Sequence, residues 1–515
     1  MRPPAQTGRA IFVPLILAIG LIIPATAQAA PGYLTPQAPF LTLDATAPAG
    51  TTLLAIINSG DSLDGFTFSG IPDGIGLMPG SSHGTVDVFV NHEESRVPFL
   101  GLADFDDSSV SRLTLDATGA VQAGSVAIPS SAGFIRFCSA TMVGPAQGFS
   151  DYTFLTNEES NDILDVPAGA PYGPDPALGA QRQAGYSVAL DPVSGEYGQI
   201  AGLGRMNHEN TVVVPGGWND IAVLTGDDTF TAPSSQLYLF QSKSENTLRR
   251  GQGHLWAFRV TRTDDGRVNK TDPFNGANDY GDIQSGDDWQ GRFIKVPPDI
   301  AKGLTADAPQ TALENWSNAN NVFQFIRVED IAYDVNNPRV VYFFADTSTS
   351  RIVPDPATGR LTRGPSGTTG LYDNGRVFRM ELSASDPKVV DSFSILLNGD
   401  TGGPALPGAG AIHQPDNVAT SPNSLMVQED TAAVAPRVWR YNYATQTWSV
   451  LATVNDIAWE SSGIVDASEF FGPGSWLLDV QAHNVFVGPV DTTTTPGVTY
   501  KREGGQLLLL HVPGS

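Results

Sequence analysis

Short runs of β-branched and aromatic residues, each stopped by Gly, Asp, Asn or Pro, recur along the whole of this chain. They occupy 53–57, 86–90, 152–155, 211–214, 236–240, 255–260, 340–344, 377–381, 438–443, 476–480 and 506–512. Such side chains fit a pleated, half-buried surface, and the residues that stop them supply turns. Helical spacing of apolar residues is scarce. Charged residues are only 16% of the chain, while Gly numbers 54 and Pro 38. An all-β fold of many short strands follows.

The first 29 residues read as a leader rather than as fold. Arg2 and Arg9 give a basic start, 11–23 is apolar, and Ala27-Gln28-Ala29 offers a small-residue cleavage site. The chain is therefore expected to be exported, to the periplasm or beyond the cell. The two arginines are not adjacent, so the expected route is unfolded export rather than a twin-arginine pathway. No later segment approaches the ~18 uninterrupted apolar residues of a membrane span. The expected mature chain, 30–515, forms one domain. At roughly 40 to 50 residues per four-stranded blade, its length fits a β-propeller of six blades with loop insertions at 262–290 and 351–375. No repeat can be aligned within it. Cys138 is the single cysteine, so no internal disulfide exists, and its thiol is either buried or a metal ligand.

Five of the strand-like segments run into acids: VDVFVNHEE (86–94), YTFLTNEE (152–159), IAVLTGDD (221–228), FQFIRVED (323–330) and NSLMVQED (423–430). Taken singly, each is an ordinary solvated turn. Taken together they point to one shared cation site. Two carboxylates about 4 Å apart repel by roughly 4 kcal/mol at an effective dielectric of 20, and several in one pocket need protons or cations. A propeller gathers corresponding strand ends at its axis, whereas a sandwich would scatter them along two edges. Asn91-His92-Glu93-Glu94 and Asn207-His208-Glu209-Asn210 place an imidazole beside a carboxylate. Strand alternation sends neighbours to opposite faces, which favours a histidine that hydrogen-bonds a carboxylate over one that ligates the same ion.

Asp and Glu number 54 against 29 Lys and Arg, a formal net charge of -25. Such a surface repels nucleic acid and anionic membranes. It also repels phosphate unless bound cations reverse the sign locally.

In order along the chain stand PDGIG (72–76), VFVNHE (88–93), FCSAT (137–141), TNEES (156–160), GRMNHE (204–209), TGDD (225–228), IRVEDIAYD (326–334), VYFFADT (341–347), HQPDN (413–417) and VQED (427–430), with SSGIVDAS (461–468) and WLLDVQAH (476–483) beyond them. The ordered set resembles the PhoX family of secreted alkaline phosphatases. The resemblance implies a six-bladed β-propeller that hydrolyses small phosphate monoesters at a central site of two ferric ions and several calcium ions. Carried over residue by residue, Cys138, Glu209 and Glu329 look like iron ligands, and Glu93, Glu158, Asp228 and Glu429 like the wider carboxylate ring. Arg327, placed on the same strand face as Glu329, looks like a phosphate-binding arginine. One departure is Thr156-Asn157-Glu158-Glu159, where the family's usual pattern has a cysteine at the second position. A thiolate is a soft ligand suited to iron, and calcium takes hard oxygens. Phosphoryl transfer needs positioning and charge neutralisation, so no serine or histidine nucleophile is required.

Three other readings compete. Gly80-Ser81-Ser82-His83-Gly84 fits the pattern of a hydrolase elbow, but a strand follows it where a helix is needed. The acidic loop 278–288 could hold a peripheral calcium, though it lacks EF-hand spacing. The whole could also be a non-catalytic, calcium-stabilised propeller that binds a partner, or a calcium-dependent phosphodiesterase or phytase-like enzyme.

Overall fold

Each of the eleven β-rich runs falls on a strand, to within one residue at either end. The computed structural model describes residues 32–94, 96–97, 108–229, 235–264, 279–345, 351–356, 361–368, 370–372, 374–400, 412–431, 434–491 and 500–515. The leader 1–29 and residues 265–278 of the insertion 262–290 lie outside them. The insertion 351–375 carries a short hairpin, Ile352–Pro354 with Leu361–Arg363.

The strands group into antiparallel meanders. The first is Pro72–Pro79, Thr85–His92, Ser109–Asp116 and Val121–Ile128; the second is Phe137–Val143, Thr153–Glu158, Ser187–Leu190 and Tyr197–Gln199. The third begins with His208–Val214, Ile221–Asp227, Leu237–Ser242 and His254–Arg262, and the fourth is Val328–Asp334, Asn337–Ala345, Arg376–Leu382 and Val389–Asn398. Trp289–Lys295 pairs with both and joins their outer edges into one nine-stranded sheet. The fifth unit is Pro415–Thr420, Ser424–Glu429, Arg437–Asn442 and Thr447–Val454, edged by Leu41–Leu43. The sixth is Glu460–Asp466, Ser475–Asp491 and Tyr500–His511, completed by Thr52–Asn58 from the other end of the chain.

The first strands of these units pack each beside the next, and Glu460–Asp466 packs back against Pro72–Pro79. A closed ring of inner strands makes the fold a β-propeller, and counted by those strands it has six units. The apolar core lies between neighbouring units rather than in one centre. Between the third and fourth, for example, Phe258, Phe293, Phe323, Phe325, Phe343, Phe378 and Phe393 form one buried aromatic cluster.

A backbone repeat exists that side chains do not announce. In every unit the inner strand carries a β-bulge, where three steps along it answer two along its neighbour: Pro72 faces His92 and then Ile75 faces Val90. The same slip follows Phe137, His208, Val328, Pro415 and Ser462. Bulges of this kind bend a strand and re-aim a side chain. The residues they turn are Asp73, Cys138, Glu209, Glu329, Asp416 and Gly463.

The glycine-rich stretch 80–84 is the turn of the hairpin from Pro79 to Thr85, with strands on both sides, so it is no nucleophile elbow. Among the described residues no helix is long and apolar enough to cross a membrane.

Candidate metal centre

All inner strands start at one end of the ring, and each antiparallel second strand finishes there beside them. Asp73, Cys138, Glu209, Glu329 and Asp416 are the second residues of their inner strands, and Glu460 is the first residue of its own. Glu93, Glu159 and Asp430 follow directly on the ends of second strands. Eight of these nine side chains, all but Asp73, line one cavity of about 160 Å³, with Ile71, Arg136, Arg327, Gln481 and His483 completing its wall.

Their ligand atoms form four groups, each within 4.8 Å: Asp73 with Glu93 and Cys138, Cys138 with Glu159 and Glu209, Glu209 with Glu329 and Asp416, and Asp416 with Asp430 and Glu460. Cys138, Glu209 and Asp416 each belong to two groups, so the bulge residues link them into a chain.

Burial in such company is costly for charge. Desolvation, then the charge of Glu93, pushes Asp73 up to about 8, and desolvation with Asp73 pushes Glu209 up to about 8. Burial, followed by neighbouring carboxylates, raises the Cys138 thiol well above its ordinary value, and Sγ donates to Asp73 Oδ2 at 3.1 Å. Desolvation likewise raises Glu159, Glu329, Asp416 and Glu460. Asp73 Oδ1 and Glu159 Oε1 are buried without a hydrogen-bond partner. Carboxylates that converge on orphaned oxygens, with one thiol among them, fit a cluster of cations.

Arg327 is not on the strand face of Glu329, as the sequence led us to expect. It precedes the strand in a left-handed conformation, φ 52°, a position shared by Ile71 (45°), Arg136 (49°) and Gln414 (52°) in other units. Such φ values are sparsely populated by non-glycine residues and concentrate at functional sites. Nε and Nη2 of Arg327 donate to Asp228 Oδ1 and Oδ2 at 2.7 and 2.8 Å, and Nη2 stands 3.0 Å from Glu329. Asp228 thus meets the chamber as the clamp on Arg327 and lies outside the four groups. Arg136 spans Glu93 and Glu159 at 3.5 and 3.4 Å.

Two expected ring members point away. Glu158 is fully buried in a bidentate pair with Arg182, at 2.8 and 2.5 Å, and also accepts the backbone N–H of Ile135 and Tyr186. Glu429 accepts from Arg437, from Trp439 Nε1 and from the His413 N–H. Alternation explains both: in each acid pair only one member can face the axis, and in these two it is Glu159 and Asp430. The segment 323–330 is also reversed, because its acids open a strand rather than end one.

His92 and His208 are buried and lie outside the chamber lining. His92 meets Ser111 Oγ at 2.8 Å and His208 meets Thr225 Oγ1 at 2.8 Å, hydroxyls rather than carboxylates. Burial lowers them to about 3 and about 4, so both stay neutral. The loop 279–288 spends its carboxylates on protein donors: Asp279 accepts from the backbone of Gly281 and Leu361, Asp287 from that of Gln284, and Asp288 from Ser392 Oγ. The sequence reading missed Asp73, Glu159, Asp416, Asp430, Glu460 and Arg136. Four of them sit inside a motif already noted, and Arg136 and Glu460 stand one residue before FCSAT and SSGIVDAS.

Residues 138–455, more than half of the chain, match the family model described as Alkaline phosphatase PhoX. No curated protein sequence matches the chain. Among solved structures, the fold is similar to that of Pseudomonas fluorescens PhoX in complex with vanadate, a transition state analogue: TM-score 0.60 and 15% identity, covering 94% of this chain and 97% of that one. A Mycobacterium tuberculosis puromycin-hydrolyzing peptidase follows at TM-score 0.29 and 8% identity, covering 83% of this chain and 53% of that one. A putative 6-phosphogluconolactonase from Bacteroides fragilis stands at TM-score 0.24 and 10% identity, covering 72% and 95%. These last two likenesses carry no argument.

Proposed function

Because this chain belongs to the alkaline phosphatase PhoX family, we propose that its acidic chamber is a phosphomonoesterase centre held together by iron and calcium ions. One observation carries the reading: seven carboxylates, five of them buried, and a buried thiol line a single small cavity together with two arginines. A phosphate dianion could not approach that charge unless cations reversed its sign.

Cys138, with Glu159, Glu209 and Glu329, offers the softer donor set that suits iron, while Asp73, Glu93, Asp416, Asp430 and Glu460 offer the hard oxygens that suit calcium. When bound, the ions supply Lewis acidity, charge neutralisation and a water of lowered pKa. The protein's own part is positioning. Asp228 holds Arg327 rigid, so its guanidinium stays aimed along the cavity wall and binds phosphate oxygens without reorganising. Ser139 Oγ donates to Glu209 Oε1 at 2.6 Å and fixes the carboxylate shared by two groups. The leader 1–29 would deliver the chain to the periplasm or beyond the cell.

Purified 30–515 should hydrolyse p-nitrophenyl phosphate, lose that activity to a chelator and regain it with iron and calcium together. A folded protein that stays inactive after both metals are returned would overturn the reading in favour of a calcium-stabilised binding propeller.

A further inference from the structure

WLLDVQAH (476–483) contributes no ligand to the four metal groups, yet it reaches the chamber. Alternation along Ser475–Asp491 puts Asp479, Gln481 and His483 on one face. Asp479 is wholly buried. Gln481 Nε2 donates to Asp73 Oδ2 at 3.0 Å and to Glu93 Oε1 at 2.9 Å. His483 stands at the rim, lining the cavity with a third of its side chain exposed. There Asn484 takes a left-handed φ of 70°, and pairing with Tyr500–His511 slips between Ala482 and Phe486. The strand is bent where the imidazole must turn inward.

His483 Nδ1 lies 3.0 Å from Glu503 Oε2, and Glu503 Oε1 accepts the Asn484 N–H at 3.0 Å. A carboxylate anchored by the backbone accepts a hydrogen bond from Nδ1–H and so orients the ring, which leaves Nε2 as its second nitrogen. Glu93, Asp430, Arg136 and Arg327 share the cavity wall with His483. Burial works against the imidazolium, but the hydrogen bond and charge of Glu503 lift its pKa above the ordinary value. Glu503 lies outside the four groups, so its pull persists when cations occupy the acids.

Resting on the phosphatase reading, we infer that His483 is the general acid of the reaction, donating its Nε2 proton to the leaving-group oxygen. The ester P–O bond breaks as phosphorus bonds to a water-derived oxygen. The Nε2 proton passes to the departing alkoxide to give a neutral alcohol, and a proton shed by the attacking water restores the ring. No electrons change hands.

General-acid help matters more as the leaving group becomes more basic. His483→Gln should lower kcat/KM for both p-nitrophenyl phosphate and glycerol phosphate, with the loss about 100-fold greater for the alkyl ester, at unchanged metal content. Glu503→Gln should shift the ratio in the same direction by less, and it keeps the inference testable if the first variant fails to fold. Equal losses on the two esters, or none on either, would overturn it. A metal-loaded wild-type protein that cleaves neither ester would instead sink the phosphatase reading on which it rests.

Discussion

Glu158 and Glu159 are neighbours in the chain, but one grips Arg182 behind the sheet while the other faces the chamber. Glu158→Gln should cost about 3–5 kcal/mol of stability, read from the urea midpoint, because it leaves a buried guanidinium without its counter-charge. Glu159→Gln should leave the metal-free chain as stable or more so, since it removes one of several crowded carboxylates, while bound metal falls. Equal destabilisation by both would contradict the assignment. The same pair shows what was legible at this scale. The motifs led to Cys138, Glu93, Glu209 and Glu329, which the structure gathers in the chamber. They chose the wrong member at 158–159 and 429–430, because a one-residue difference in strand parity exchanges the two faces and no residue type records that parity.

The bulge is the device by which five of the six inner strands bring a side chain able to hold a cation to one place. It escaped the sequence because each unit spells it differently: Asp73-Gly74, Cys138-Ser139, Glu209-Asn210, Glu329-Asp330, Asp416-Asn417 and Gly463-Ile464. The strands themselves were legible, since β-branched alternation is local, whereas register is a property of pairs. The segment 323–330 misled for a related reason. Phe323 and Phe325 are apolar because they fill the core between two units, and they precede the strand rather than form it. Gly463 is the bulge position that bears no side chain. It has φ +54°, and an added Cβ would stand 2.6 Å from the Asp73 carbonyl and 2.9 Å from Asp479 Oδ2. Gly463→Ala should therefore cost about 1–3 kcal/mol and weaken cation binding at Asp73, seen as a lower Tm and a raised Kd for calcium. An unchanged Tm would mean that the bulge tolerates a side chain there.

Across the whole molecule, closure of the ring and filling of its centre are separate requirements. Thr52–Asn58 completes the sixth unit by pairing with Tyr500–His511, so removing residues 30–60 should open the sheet edge and cause association of chains, measurable by light scattering. The centre makes the metal-free protein sensitive to pH. Asp73 and Glu209 rise from 3.8 and 4.5 to about 8, so the folded chain keeps protons that the unfolded chain gives up. Their contribution is complete below about pH 4 and is lost as pH rises towards 8 and beyond, so the metal-free protein should weaken steadily on that path. Bound cations should flatten the decline, because they replace the protons. The most direct test is elemental analysis of the purified wild-type protein beside Cys138→Ser. The wild type should carry iron together with calcium, and the variant should keep calcium and lose iron. A folded, active wild type without iron, or a variant that retains its full iron content, would contradict the account.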